Sequence, residues 1–150
     1  MLHNWIKPII PGDFLEGIQR EAPVWGIAVI QFSEASPSLQ DVQISIVGIG
    51  DEEADAVRRV LYAMSFPFEG LRVADLGNMR RQDNSFLIAP IRELTAGKIL
   101  PILIGRDPSN MPAQYKAFLS LQNWISFAVV DETLRVSGHT TAGNGSILDD

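Results

Sequence analysis

The sequence contains no cysteine, and this absence excludes disulfides, thiol nucleophiles and zinc sites built from thiolates. Histidine is almost as scarce, since His3 and His139 are the only two in 150 residues. A histidine-rich metal cluster is therefore excluded within one chain, unless its two ends meet. No serine stands in the Gly-x-Ser-x-Gly pattern of a nucleophile elbow, so Ser-His-Asp catalysis is not indicated.

Long basic and long apolar runs are also missing. The 12 Lys and Arg stand against 18 Asp and Glu, giving a net charge of −6, and no basic run is longer than two residues. A nucleic-acid backbone is therefore not an expected partner. No segment approaches the ~20 apolar residues of a membrane span. Pro8, Pro11 and Asp13 interrupt the start before a signal-like run develops, so we expect a cytoplasmic protein.

What is present is typical of one folded domain. Hydrophobic residues make up 46% of the 150 residues and charged residues 20%, which is ordinary for a globular chain with a single core. We expect that domain to cover residues 1–136. Residues 137–150, "SGHTTAGNGSILDD", are rich in Gly, Ser, Thr and Asn and predict a flexible tail or linker.

Short apolar runs alternate with segments of helical spacing along most of the chain. The runs predict strands at residues 24–32, 42–49, 71–74, 99–104 and 125–130. Helices are predicted between the later runs, over residues 51–65, 84–97 and 110–124. This order predicts an α/β protein with three αβα layers, Rossmann-like, in which about four strands are parallel. Residues 24–32 precede the alternation and are expected to form an N-terminal edge strand.

Each predicted helix carries a testable detail. The apolar residues of the first helix recur at three and four positions and are expected to face the core as one stripe: Ala54, Val57, Val60, Leu61 and Met64. In the second helix, Pro90 predicts either a kink or a late start, and Gly97 a C-terminal stop. Asn110 is the expected cap of the third.

Acidic residues follow the predicted strands, where open α/β sheets bind ligands. They are Asp51, Asp75, Asp107 and Asp131. Two interpretations stay open: oxygen ligands for a cation such as magnesium, or ordinary caps of the following helices. Under the first, the candidate catalytic acids are Asp75, Asp107 and Asp131.

Several of these segments together resemble a known family. "VADLGN", "KILPILIGRDPS", "AQYKAF" and "FAVVDETLR" are similar to the N-terminal half of the ureohydrolases, which include arginase, agmatinase and formimidoylglutamase. The resemblance covers about residues 40–136 and is nearest to the formimidoylglutamase-like branch. It implies an arginase-type fold, a binuclear manganese site, and hydrolysis of C–N bonds in guanidino or formimino compounds.

The resemblance also implies where manganese ligands belong. The first family turn reads Gly-Gly-Asp-His; here Gly105 and Asp107 match, but Arg106 replaces the second glycine and Pro108 the histidine. Proline offers no side-chain donor atom to a metal.

The second family turn, Asp-x-His-x-Asp, is altered as well. Asp131 matches its first aspartate, whereas Thr133 and Arg135 occupy the histidine and final aspartate positions. A later Asp-x-Asp turn has no counterpart before Asp150. Two close dications need several anionic and imidazole ligands, and the cationic Arg135 would repel them. We therefore expect no metal, no cofactor and no ureohydrolase turnover.

Two function hypotheses follow. The first is a non-catalytic binding or assembly module, or the N-terminal portion of a longer relative. The alternative is a C–N hydrolase that uses Asp75, Asp107 and Asp131 in the acidic crevice, with magnesium or without metal. A homodimer is expected in either case, because the strand at 99–104 must pair with residues 125–130 or with a neighbouring molecule. The sequence does not identify a small-molecule ligand.

Overall fold

The computed structural model describes residues 2–17, 23–33, 38–105 and 110–121. The strands in these residues are β1 (Ile6–Lys7), β2 (Ile30–Gln31), β3 (Ile44–Gly48), β4 (Val73–Met79) and β5 (Leu100–Ile104). The α-helices are α1 (Gly12–Leu15), α2 (Trp25–Ala28), α3 (Asp51–Ala63), α4 (Asn84–Ala96) and α5 (Met111–Leu119). Residues Leu2–Asn4 form a 3₁₀ turn.

The five strands form one sheet in which β4 and β3 lie side by side. β3 pairs in parallel with β4 on one side and with β5 on the other. The far side of β4 is shared by β2, which is parallel to it, and β1, which is antiparallel. The prediction of a mixed α/β protein is thus confirmed at the level of a five-stranded sheet with helices.

The N-terminal edge of the sheet differs from the prediction. Residues 24–32 are not one strand, because Trp25–Ala28 form one helical turn and only Ile30–Gln31 join the sheet. The antiparallel edge strand is instead Ile6–Lys7. An unbroken apolar run such as "VWGIAVI" has no period that separates a buried helix turn from a strand, and this caused the error.

The strand predicted at residues 71–74 is wrong in its extent. β4 runs over Val73–Met79 and therefore includes Asp75 and Gly77. Its pairing with β3 shifts register after Ile46, which leaves an extra residue on β4. Such a bulge reverses the side of the sheet to which the following side chains point, so that Asp75 and Asn78 both contact Arg58 of α3.

The later helices keep close to their predicted bounds. α4 begins at Asn84 and continues through Pro90, so a late start is wrong. Asp83 caps this helix by accepting a hydrogen bond from the Phe86 N–H at 2.9 Å. Gly97 is the C-cap, as predicted. Asn110 stands at the N-cap of α5, but its side chain makes no capping hydrogen bond.

The core forms two clusters that are divided by the alternation of β4. Ala74, Leu76 and Met79 belong to the larger cluster, which also holds buried residues of α4 and α5. Val73 belongs to the smaller one, with Ile46 of β3 and the half-buried Leu61 of α3. The two clusters are therefore served by different helices.

The face that α3 buries contradicts the predicted apolar stripe. Ala54 is buried, yet Val57, Val60 and Met64 are 43%, 66% and 54% exposed. The side chains that α3 does bury after Ala54 are Arg58 and Tyr62, both 0% exposed. The helix is rotated because its polar residues have partners on β4, which are described below.

Some predictions fall outside the described residues. They are the strand at residues 125–130, the tail at 137–150 and the boundary of the domain at residue 136. None of the helices within the described ranges is long and apolar enough to cross a membrane.

Candidate functional site

Asp75, one of the predicted catalytic acids, lies inside β4 and not beyond its end. It is the third residue of the strand and is 0% exposed. Its side chain faces α3, where it meets Arg58 and Tyr62. The expected place for Asp75 at the open edge of the sheet is therefore wrong, since the strand continues for several residues after it.

The Asp75 carboxylate accepts hydrogen bonds at both oxygens. Arg58 binds it in a bidentate manner, with Nε to Oδ2 at 2.8 Å and Nη2 to Oδ1 at 2.9 Å. The Tyr62 hydroxyl donates to Oδ2 at 2.8 Å, and the Gly77 N–H donates to Oδ1 at 2.9 Å. A carboxylate offers about four acceptor positions, and these bonds fill them.

Arg58 is satisfied to the same degree. Its Nη1 donates to the side-chain oxygens of Asn78 and of Asp55, the latter at 3.2 Å. Its Nη2 also reaches the Gly77 carbonyl at 3.0 Å. Together with the bonds to Asp75, these contacts use all five N–H donors of a guanidinium group. A buried network in which every member is satisfied holds a unique core arrangement.

Burial and charge act together on the two titratable partners of Asp75. Burial alone would lower the pKa of Arg58, but its hydrogen bonds with Asp75 and the Asp75 charge outweigh this effect and raise that pKa. Burial raises the pKa of Tyr62 far above its ordinary value, and the Asp75 charge adds to the shift. Arg58 is thus a permanent cation here and Tyr62 a neutral donor.

The network extends toward both ends of the sheet. Gln31 of β2 donates from Nε2 to the Tyr62 hydroxyl at 3.1 Å. In the other direction, Asn78 donates from Nδ2 to Asp51 Oδ1 at 2.9 Å. Lys7 of β1 then forms an exposed ion pair with Asp51 at 3.4 Å. Residues from β1, β2, α3 and β4 are therefore joined through one set of polar contacts.

Two glycines make room for this set. Gly77 has φ +99°, and a Cβ there would lie 2.2 Å from the Lys7 carbonyl oxygen. A Cβ on Gly48 would lie 2.0 Å from Asn78 Oδ1 and 3.0 Å from Arg58 Nη1. Both positions need glycine because backbone or network atoms already fill the space.

The open edge of the sheet holds the other predicted residues only in part. Asp51 begins α3 and is bound to Asn78, and Gly105 follows β5 with its backbone against Ile49. Six of the carried-over family positions lie outside the described residues: Arg106, Asp107, Pro108, Asp131, Thr133 and Arg135. Among the described residues, no three His, Asp or Glu side chains group so as to hold a metal ion.

The sequence interpretation missed Arg58, Tyr62 and Asn78. A signal for the first two was available, since Ala54, Arg58 and Tyr62 are spaced at four residues and share one helix face. The other side of the helix, with Val57, Val60 and Met64, is more apolar. The buried face is set by Asp75 on β4, which binds Arg58. Asn78 had no local signal, because the bulge directs it.

What the arrangement can do chemically is limited by its own completeness. Every hydrogen-bond position of the Asp75 carboxylate is taken within the protein, so none is left for a metal ion, and Arg58 has no donor left for an anion. No family model, no curated protein and no solved structure matches this chain. The likeness to ureohydrolases therefore stays a prediction that rests on the quoted segments.

Proposed function

We propose that this chain is a non-catalytic binding or assembly module of ureohydrolase-like type. The observation that carries the proposal is the saturation of Asp75, whose carboxylate is 0% exposed and bound by Arg58, Tyr62 and the Gly77 N–H. A general acid or base must exchange a proton with substrate or water, and a metal ligand must present a free lone pair. Asp75 is held for folding instead.

We also propose that the fold is a three-layer, Rossmann-like arrangement. The parallel pairings of β3 with β4 and β5 support it, because the chain leaves β3 for β4 on one side and then crosses to β5 on the other. The two core clusters support it as well, since α3 contributes to one and α4 with α5 to the other. Ligands of such sheets bind where the strand order reverses.

Metal titration of the full chain tests the proposed function. Thermal unfolding is followed without metal and in millimolar MnCl₂ or MgCl₂, together with elemental analysis of the purified protein. We expect no stoichiometric metal. We also expect an unchanged melting temperature, because a metal ion that bound the folded state would raise the melting temperature. Stoichiometric manganese, or a rise that Asp131→Ala abolishes and Asp13→Ala keeps, would overturn the proposal.

The hydrolase alternative is tested with the same protein. Ammonia and urea release is measured with guanidino and formimino compounds. We expect none above the uncatalysed rate. Turnover that Asp107→Ala removes would establish the alternative and contradict the module.

A homodimer is the proposed assembly, and β5 supports it. Leu100 donates to Gln43 and Ile104 accepts from Ile49, so the alternate residues face the other edge, where Leu103 offers an N–H and a carbonyl and Pro101 a carbonyl only. Within the described residues no strand pairs there. Such an edge is a template for another chain. Light scattering at micromolar concentration should give twice the monomer mass, and a monomer would contradict this assembly.

A further inference from the structure

Three aromatic side chains form a cluster near the start of β4. Trp25 begins α2, and Phe66 and Phe68 lie between α3 and β4. Their ring centroids are 4.9 Å apart for Trp25 and Phe66, 5.5 Å for Phe66 and Phe68, and 6.0 Å for Trp25 and Phe68. We call these three residues the aromatic corner.

Two of the three rings are fixed by the backbone and the core. The Trp25 N–H donates to the Met64 carbonyl at 3.0 Å, and the Phe66 N–H donates to the Pro23 carbonyl at 2.7 Å. Both rings pack against the smaller core cluster, which includes Val73, the first residue of β4. Trp25 and Phe66 are therefore ordered before any ligand binds, and this lowers the entropic cost of binding.

Phe68 is the third ring, and the core does not hold it. Its side chain is 47% exposed and belongs to neither core cluster. Among the described residues, its ring contacts are those with Trp25 and Phe66. Phe68 thus adds a solvent-facing wall to two rings that are already in place.

The angles between the rings decide which class of ligand fits. They are 88°, 76° and 81°, so each ring is nearly perpendicular to the other two. A flat group that inserts between two rings needs parallel faces, whereas a compact, rounded group can contact three perpendicular faces together. Because the face of an aromatic ring carries negative charge, such a group is favoured when it is a cation.

The charge near the aromatic corner favours the same ligand. α3 ends at Ala63 and has no basic residue in its last turn to offset the partial negative charge of its C-terminus. Glu69 follows Phe68, is exposed, and forms no ion pair with another described residue. In the described part of the chain, the cations that lie over rings do so at Phe14 and Phe86 and not at the aromatic corner.

We propose that the aromatic corner binds an alkylated ammonium group, such as a trimethylammonium head group. Its methyl groups contact the faces of Trp25, Phe66 and Phe68, and its charge is stabilised by the rings, by Glu69 and by the end of α3. The unmodified ammonium of lysine fits less well, because it is strongly hydrated and needs hydrogen-bond acceptors that rings do not supply.

The site goes beyond the proposed function and does not depend on it. The aromatic corner lies where β4 begins, whereas the predicted acidic crevice lies beyond the carboxyl ends of the strands. An alkylated ammonium group can belong to a free small molecule or to a methylated lysine of another protein. The chemistry of recognition is the same for both.

NMR titration of the full chain with tetramethylammonium chloride tests the proposal. The signal followed is the Trp25 indole N–H, which is assigned by its absence in Trp25→Phe. Choline and its neutral analogue, in which carbon replaces the nitrogen, are titrated in parallel. We expect saturable shifts with both cations at millimolar concentration, and binding of the neutral analogue that is weaker by about tenfold. Equal binding of the neutral analogue, or no shift with tetramethylammonium, would overturn the proposal.

Variants of the exposed wall locate the binding. Phe68→Leu keeps an apolar side chain without a ring and should weaken tetramethylammonium binding about fivefold, whereas Phe68→Tyr keeps the ring and should bind as the parent does. Glu69→Gln should weaken binding about twofold, and Glu52→Gln, at the opposite end of α3, should not. Undiminished binding by Phe68→Leu would show that the cation binds elsewhere.

A pair of peptides that differ only in a trimethyllysine or a lysine identifies the source of the group. Tighter binding of the trimethyllysine peptide than of tetramethylammonium would assign the group to a protein, and equal binding to a small molecule. Equal binding of the lysine peptide would contradict the proposal, because simple charge attraction would then suffice. If metal titration finds stoichiometric manganese while these results hold, the proposed function fails and the aromatic corner stands.

Discussion

At the scale of single residues, the chain carries an ion pair that is fully removed from water. Arg58 and Asp75 are both 0% exposed and are joined by a bidentate contact. Removing two charges from water is costly, and their attraction offsets this only with good geometry and with the remaining groups bonded. Tyr62, Asn78 and Gly77 supply those bonds. The pair is therefore sensitive to the loss of either member.

Replacing Arg58 by leucine should destabilise the protein by about 3–5 kcal/mol, because Asp75 would stay buried without its counter-charge. The matched control is Arg59→Leu, since Arg59 is the exposed neighbour on the same helix. Arg59 lies over the Phe14 ring, so that change should lower the free energy of unfolding by at most about 1 kcal/mol. Urea denaturation at neutral pH measures both, and a loss of similar size in the two variants would contradict the prediction.

Tyr62 predicts a loss of stability in alkali. The pKa of Tyr62 is raised in the fold, mainly by burial, whereas an unfolded tyrosine ionises at about pH 10. The stabilisation is thus complete below that pH and is lost as pH rises toward the folded value, with a slope of up to about 1.4 kcal/mol per pH unit. Tyr62→Phe should flatten the decline of unfolding free energy above pH 10. Parallel curves for the two proteins would show that another group is responsible.

Replacing Ser45 should stabilise the protein. Its Oγ is buried and finds no hydrogen-bond partner within the described part of the chain. An unpaired buried hydroxyl carries a desolvation penalty of about 1–3 kcal/mol. Ser45→Ala should therefore raise the free energy of unfolding by about 1 kcal/mol, measured by urea denaturation. A clear loss of stability would mean that the hydroxyl is bonded.

At the scale of elements, α3 shows which part of the fold its sequence could predict. Its start and approximate length followed from the spacing of apolar residues and the acids of the first turn. Its orientation did not, because Val57, Val60 and Met64 form the more apolar side. The helix turns the other side inward to meet Asp75, and a partner on a distant strand leaves no trace in a local period.

The extent of β4 is hidden from its local sequence for a related reason. Asp75 and Gly77 reduce the apolar pattern that marks a strand, so a local interpretation ends it at Ala74. Only the pairing with β3 and the bulge at this point show that the strand continues to Met79. β3 and β5, whose central residues are uninterrupted by charge, were predicted nearly to their ends.

The bulge gives a prediction at this scale. Gly77→Ala should destabilise the protein by at least about 1–3 kcal/mol, since φ is +99° and the new Cβ would meet the Lys7 carbonyl at 2.2 Å. Gly12→Ala is the control, because no atom lies within 4 Å of a Cβ there. Thermal unfolding compares them. Equal melting temperatures would show that the strand can relax without this conformation.

At the scale of the whole molecule, one polar set ties the sheet together. It links Lys7 of β1, Gln31 of β2, Arg58 of α3 and Asp75 of β4, while the larger core lies with α4 and α5. The mixed α/β class was predictable because the alternation of strands and helices is written along the chain. The use of Asp75 as an internal anchor was not predictable, since it depends on a long-range contact with Arg58.

The central claim is that Asp75 serves the fold and not a reaction. The free energy of unfolding of Asp75→Asn, measured by urea denaturation in a double-mutant cycle with Arg58→Leu, tests it most directly. We expect Asp75→Asn alone to cost at least about 3 kcal/mol, and the coupling with Arg58 to exceed about 2 kcal/mol. Replacing a residue that serves catalysis commonly makes the protein more stable. An Asp75→Asn protein as stable as the parent, with no coupling to Arg58, would contradict the claim.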